Sequence, residues 1–520
     1  MSRKLNILMV ASEMAPFAKE GGLADVVSSL ARELVDMGHD VRVVIPKYKT
    51  IEHQGGNITL AVGHVSVPMG VIGDMGCAIW QCPIVDAQDG GEPPLAKKGD
   101  EPPLAKRGGG GVVYTVEHHQ YFSRDGGFYS NINGDGYMDN DNRFVFLSRA
   151  SLELCKHVGF RPDCIHVHDW HTAAIPVLVN TDYRDEPLIG NSATLLTIHN
   201  LQHQGEFYEG LMDVLGIGWG HFNYMELEKD GNTDLLKGGI YHATIVNTVS
   251  ERYARQIQTP EFGFGLDGVL RDRASDLYGI INGVNYREWN PQTDSLIAAN
   301  YDVDDLSGKS VCKADLQGCL GLPKRPDVPI IGLITRLVKQ KGIDVLAEAI
   351  YRLMELDIQI VLLGTGEVWA NFYFGDLPRQ YPDKFGCHIG YDNTLAHKIE
   401  AGSDFFLMPS SFEPCGLNQM YSLRYGTLPI VRAVGGLDDT VDNLNVEANT
   451  GTGFKFYDLT AGALVDTVGW AVYTYYNDKD TMAGLIQRAM ERRFSWADVA
   501  VKYVALYEKA IVNRQGGMIS

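Results

Sequence analysis

NILMVASEMAPFAKEGGLADVVSSLARELVDMGHDVRVVI, residues 6–45, reads as strand, glycine loop, helix and strand in a single pass. Asn6 to Ala11 is a short apolar run, the length of one buried strand. From Leu23 the apolar residues fall at Leu23, Val26, Val27, Leu30, Ala31, Leu34 and Val35, one face of a helix that Gly38 stops, and Val41 to Ile45 supplies the next strand. This is a βαβ unit. Its turn, Lys19-Glu20-Gly21-Gly22-Leu23, opens the helix, where unpaired amides and a partial positive charge favour an anion and glycine lets a bulky one approach.

The pattern returns downstream. Ile330 to Ile334 is a strand, Ile343, Leu346, Ala347, Ile350, Leu353 and Met354 share a helix face, and Ile358 to Leu363 is a strand again. A second glycine pair, Gly435-Gly436-Leu437, again ends a strand and opens a helix. The chain therefore reads as α/β, with an N-terminal Rossmann-like domain over 1–284, a polar linker over 285–328, a C-terminal Rossmann-like domain over 329–490 and a C-terminal helix over 491–520. The pattern leaves that helix's seat open, the N-terminal domain being one choice. Residues 90–111 hold a tandem EPPLAK in a Gly/Pro/Lys frame and read as a mobile surface insertion rather than a fold repeat.

Bulk properties narrow the function. At 520 residues the chain exceeds one ordinary core, and 45% hydrophobic with 21% charged residues is globular. A net charge of −20 argues against nucleic acid as a partner, which needs a basic face. It leaves room for a phosphorylated ligand, because a contact pair near 4 Å is worth about 4 kcal/mol at an effective dielectric near 20, whereas distant charges are screened. The eight cysteines form no C-x-x-C pair, no apolar run approaches the length of a membrane span, and the apolar opening is too short for a signal peptide. A cytoplasmic protein with no membrane partner is expected.

Several residues carry chemistry. Thr335 to Gly342 follows a buried strand and places Arg336 and Lys341 at the carboxyl edge of a parallel sheet, where open α/β folds bind ligands; together they suit a diphosphate clamp. Glu413, in Ser410-Ser411-Phe412-Glu413-Pro414-Cys415-Gly416-Leu417, lies at a similar edge and suits sugar hydroxyls or a developing cation, or else simply an acid at a helix N-terminus. Lys19 reads equally as a solvated lysine in a tight turn, and Asp25 as a partner of the helix dipole. G-x-G-x-x-G is absent, which weakens a nicotinamide-cofactor reading. His166, His168, His199 and His203 allow a zinc reading, but no compact ligand set is visible among them and no metal is expected.

Lys19 to Leu23, Arg336 to Gly342, Phe412 to Leu417 and Gly435 to Leu437 together resemble bacterial glycogen synthases and plant starch synthases. The resemblance runs nearly end to end and includes His168-Asp169-Trp170-His171, Thr197 to Leu201 with Gln204-Gly205, and Ile389-Gly390-Tyr391. It implies two Rossmann-like domains facing across a deep cleft, the GT-B arrangement, and transfer of glucose with retention from ADP-glucose to an α-1,4-glucan (glycogen, starch or maltodextrin), with no cofactor. Lys19 and the Gly21 and Gly22 amides would meet the donor phosphates, with Asp25 supporting the pocket. Arg336 and Lys341 would neutralise departing ADP, aided by Gly435 and the amides of Gly436 and Leu437, with Gly416 and Leu417 also lining the substrate. His199 would hold the glucose 6-hydroxyl, Glu413 would sit beside the donor glucose, Tyr391 would stack on adenine, and Asp169 and Asn200 would contact sugar or acceptor.

There are departures from the family pattern. Glu20 replaces Thr or Val and is expected to point outward, Ser411 replaces an Arg, Thr335 replaces a common Ser, and Tyr421 stands where related enzymes carry a second Glu. Two rival classes remain to be separated by assay: a nicotinamide oxidoreductase, opposed by the missing fingerprint, and a non-catalytic carbohydrate-binding protein, opposed by intact Arg336, Lys341 and Glu413. Oligomeric state is not legible.

Overall fold

The computed structural model describes residues 3–52, 58–84 and 110–517, so the repeat insertion, save its last two residues, lies outside the described residues. The chain divides into two compact units, the first made of residues 1–249, 256–280 and 496–520 and the second of residues 250–255 and 281–495.

Twelve strands belong to the first unit among the described residues. They are β1 (Asn6–Val10), β2 (Asp40–Pro46), β3 (Thr59–Pro68), β4 (Asp74–Pro83), β5 (Val112–Glu117), β6 (Cys164–His168), β7 (Ala193–Ile198), β8 (Glu206–Tyr208), β9 (Glu228–Lys229), β10 (Asn232–Asp234), β11 (Ile245–Thr248) and β12 (Leu277–Gly279). Nine form one sheet in the order β12-β11-β7-β6-β1-β2-β5-β4-β3, parallel except for the β3/β4 and β4/β5 pairs; β8, β10 and β9 form a small antiparallel sheet. β1 is covered on both faces, which is why it reads as an unbroken apolar run rather than an alternating one. The helix Gly22–Asp36 buries Val26, Val27, Leu30, Ala31 and Leu34 against it, in the register the sequence spacing predicts.

The last helix, Trp496–Gly517, completes this unit's core. Trp496, Ala500, Tyr503, Tyr507 and Ala510 share a cluster with Ile7, Met9 and Leu30. Its two buried tyrosines each find a polar partner on the sheet: Tyr507 Oη lies 2.8 Å from His166 Nδ1, and Asn247 Nδ2 donates to Tyr503 Oη at 3.2 Å.

The second unit carries a six-stranded, wholly parallel sheet of β13 (Ile330–Ile334), β14 (Gln359–Gly364), β15 (Phe385–Ile389), β16 (Phe405–Met408), β17 (Leu428–Arg432) and β18 (Phe454–Phe456), ordered β15-β14-β13-β16-β17-β18. The helix Ile343–Leu353 buries Ile343, Leu346, Ile350 and Leu353 on it. Residues 285–328, polar enough to read as a linker, pack into this unit instead. The helix Ser307–Cys319 buries Cys312 and Leu316, and Tyr301 Oη donates to the Tyr425 carbonyl at 2.8 Å. Composition hid this because the few apolar anchors, Trp289, Tyr301, Cys312, Leu316 and Leu322, are widely spaced among polar residues.

Candidate active site

In each unit the strand order reverses direction once, and ligands of open α/β sheets bind outside the strand carboxyl ends at such points. In the first unit the reversal falls between β1 and β6. The loop after β1 carries Lys19 to Gly22, the residue after β6 is Asp169, and His199 and Asn200 follow β7. In the second unit it falls between β13 and β16, so the loops bearing Arg336 with Lys341 and Glu413 with Gly416 are neighbours, flanked by Gly435 to Leu437 after β17 and Tyr391 after β15.

At the first loop Lys19 Nζ pairs with Asp25 Oδ1 at 2.8 Å. Asp25, in the first helical turn, thus fixes the lysine while complementing the helix N-terminus. The Gly21 amide is not open as the sequence reading expects. Glu13 Oε2 accepts from Glu20 N at 2.6 Å and Gly21 N at 3.0 Å, and Tyr129 Oη donates to Glu13 Oε1 at 2.5 Å. A buried carboxylate therefore already occupies this anion site; no sequence period marks the way Glu13 folds back onto the amides 7 and 8 positions on, and Tyr129, 116 positions away, holds its other oxygen. A Cβ at Gly21 would meet nothing within 4 Å, so the glycine borders open space rather than a crowded turn. Glu20 is exposed, as expected, and also accepts from the Phe128 amide; partial desolvation, reinforced by the charge of Glu13, raises its carboxyl above the ordinary value.

The β6 and β7 ends form one hydrogen-bonded cluster. Asp169 adopts a left-handed φ of 54°, and its Oδ1 accepts from His199 N at 2.7 Å and Asn200 N at 3.4 Å. It orients the His199 backbone, a positioning contact the sequence did not reveal. Burial pushes the Asp169 carboxyl up to about 7, against the lowering effect of those two amides. His199 Nε2 lies 3.0 Å from His168 Nδ1, and burial lowers His199 to about 3, so its imidazole is neutral. A neutral ring both donates and accepts, which suits a sugar hydroxyl.

In the second unit Lys341 Nζ meets Glu413 Oε2 at 2.6 Å, and Ser410 Oγ donates to the same oxygen at 3.1 Å. Both partners are largely buried, with 19% and 7% of their side chains exposed, so screening is weak. Arg336 is exposed and donates to Gln340 Oε1 at 3.2 Å. Arg432, the last residue of β17, donates to the Ser411 carbonyl and brings a guanidinium to this loop. Tyr391 is 79% exposed, a free aromatic face at the β15 end.

The glycines here are conformational necessities. Gly435 has φ 48° and a Cβ there would lie 1.9 Å from the Glu413 carbonyl; at Gly436 it would lie 2.1 Å from that of Cys415. This packing corrects the expectation for the phosphate cradle: Gly436 N donates to Glu413 O at 3.0 Å and Leu437 N to Val434 O at 3.1 Å, so both amides are already engaged. Gly436 thereby fixes the Glu413 backbone. Gly416, at φ 73°, and Leu417 lead into the helix Asn418–Arg424. Tyr421 on that helix stacks on Trp289 with centroids 4.1 Å apart, and the opposite indole face carries His397 at 3.9 Å. At this position a ring fills a packing site that a carboxylate would not.

Among the described residues one group of histidine and carboxylate atoms converges closely enough to hold a metal, and none of His166, His168, His199 and His203 belongs to it.

Residues 6–272 match the family model for the starch synthase catalytic domain, and residues 321–483 that for glycosyl transferases group 1. Glycogen synthase 1 of Geobacter metallireducens is 59% identical over 99% of this chain and 98% of its own, and glycogen synthase 1 of Geobacter sulfurreducens 58% over the same shares. The solved catalytic domain of starch synthase IV from Arabidopsis thaliana, bound to ADP and acarbose, superposes with a TM-score of 0.85 at 32% identity, covering 98% of this chain and 100% of that one. The chain belongs to the glycogen synthase and starch synthase family of glycosyltransferases, built from two Rossmann-like domains of the GT-B class.

Proposed function

We propose that the protein elongates an α-1,4-glucan in glycogen biosynthesis, transferring glucose from ADP-glucose to the non-reducing end with retention of configuration. The observation that carries this reading is the Lys341–Glu413 pair at the β13/β16 edge, a buried cation and carboxylate in the company of Arg336 and Arg432. Its support from relatives is the glycogen synthase name of the Geobacter proteins and the ADP and acarbose bound to starch synthase IV.

Glycosyl transfer develops positive charge on the sugar carbon and negative charge on the leaving diphosphate. Lys341, held by Glu413 in the absence of donor, exchanges that carboxylate for a phosphate oxygen, and Arg336 adds a second cation. Glu413, released from the lysine, turns its carboxylate to the donor glucose hydroxyls. His199, neutral and oriented through Asp169, holds the 6-hydroxyl, while Lys19 meets the donor phosphates with Asp25 setting its position. Tyr391 stacks on adenine, and Asn200 contacts the donor sugar or the acceptor. The acceptor hydroxyl attacks from the side of the leaving group and yields its proton to phosphate. The eight free thiols support a cytoplasmic setting.

The test is purified protein with maltoheptaose and either ADP-glucose or UDP-glucose. ADP release matched by chain growth, with at least a tenfold preference for the adenine donor, supports the reading. Nucleotide release without elongation, or turnover of neither donor, overturns it, and the anomeric proton signal of the new linkage reports the stereochemistry.

A further inference from the structure

Away from the loops of the candidate active site, His221, Glu226 and His242 bring three ligand atoms within 4.8 Å of one another. Glu226 Oε2 is 2.6 Å from His221 Nδ1 and 3.0 Å from His242 Nε2, while Glu226 Oε1 accepts from Asn223 Nδ2 at 3.2 Å. Two segments meet here. His221 closes the short turn Trp219–His221, Glu226 is set by its amide bond to Asn223 O at 3.0 Å, and His242 ends the helix Leu235–His242.

We propose that these three side chains form a binding site for one divalent cation of the borderline class, with Zn2+ as its type, which ties the 219–226 turn to the end of the 235–242 helix. Two imidazoles and one carboxylate are a donor set that borderline cations prefer over Mg2+ or Ca2+, which seek oxygen. Ligand atoms around tetrahedral zinc stand about 3.3 Å apart, so the 2.6 and 3.0 Å contacts to Glu226 must open by a few tenths of an ångström, a movement His221 allows with 32% of its side chain exposed, and a fourth position is left to water.

As it stands, His221 Nδ1 and His242 Nε2 both face the one oxygen Glu226 Oε2, and a metal ion takes the place of the protons between them. Arg273, which caps the carbonyls of Ile240, Tyr241, Ala243 and Thr244, is the cation a metal must tolerate. Behind the site, Asn180 Nδ2 lies 3.4 Å from His242 Nδ1 and Asn180 Oδ1 accepts from Arg514 Nη1 at 2.5 Å. A carboxylate at position 180 would keep the arginine and accept from the Nδ1–H that a metal at Nε2 requires.

The test uses the metal-stripped full chain in a Cys319→Ser background, because Cys319 is the exposed thiol. Calorimetric titration with Zn2+ is expected to give one equivalent bound at micromolar Kd or tighter, Co2+ to give the visible bands of a four-coordinate site, and zinc at a hundredfold excess over Kd to raise Tm by about 2–4 °C. Glu226→Gln and His242→Gln are each expected to weaken binding about a hundredfold with ADP release unchanged in the absence of zinc, and Asn180→Asp to tighten it about tenfold. Absence of stoichiometric binding, or unchanged affinity in the Glu226→Gln/His242→Gln double variant with its circular dichroism intact, overturns the proposal.

Discussion

At the scale of single residues, the proposed reading is tested most directly at the Lys341–Glu413 pair. Lys341→Ala is expected to lower kcat by about two to three orders of magnitude, the range for losing one preorganised contact to developing negative charge, while glucan affinity measured without donor changes less than twofold. Equal losses in both would remove the leaving-group role. Asp169 offers a test by pH. Its carboxyl is raised to about 7 in the folded protein, so the folded state binds more protons than the unfolded one between roughly pH 4 and 7, and stability from this group falls as pH rises through that window. Asp169→Asn, which keeps an acceptor for the His199 amide, is expected to flatten the slope of Tm against pH there; an unchanged slope would show that the proton sits elsewhere. Charged groups near strand ends were legible in the sequence because Arg336, Lys341 and Glu413 each stand in the loop that follows an apolar run. Glu13 and Arg432 were not, because what makes them matter is a hydrogen bond to loop backbone 7, 8 or 21 positions away that no periodicity announces.

At the scale of elements, the glycine loops hold the site by denying space. Gly435→Ala puts a Cβ at 1.9 Å from the Glu413 carbonyl in a left-handed backbone, and the loop must shift Glu413 to relieve it. The expected result is a loss of about 2–4 kcal/mol in stability by denaturant melt and a fall in kcat greater than tenfold. Gly21→Ala, which meets nothing within 4 Å at φ −135°, is expected to leave Tm within about 2 °C while raising the KM for the donor; a large drop in Tm would show that the site is built into the turn rather than open to ligand. Helices and strands of both sheets were readable from period alone, since parallel strands covered on both faces and amphipathic helices leave strong patterns. The sheet orders were not, and it is the order that brings the β1, β6 and β7 ends together. Nor was the engagement of the Gly436 and Leu437 amides, because sequence shows where an amide lies and not what already accepts from it.

At the scale of the whole molecule, the first unit is assembled from pieces at both ends of the chain. Ending the chain at Ser495 removes Trp496, Tyr503 and Tyr507 from its core and strips His166 of its tyrosine partner. Large apolar side chains cost about 3–5 kcal/mol each when deleted, so the truncated protein is expected to lose cooperative thermal unfolding and to precipitate on expression. A soluble truncated chain with a sharp melt would show that the helix is dispensable. The order of synthesis adds a consequence. The nine strands of the large sheet leave the ribosome first, and residues 281–495 of the later unit follow before the helix Trp496–Gly517 that walls the earlier one. The opening strands therefore wait, partly bare, while a whole second unit is translated.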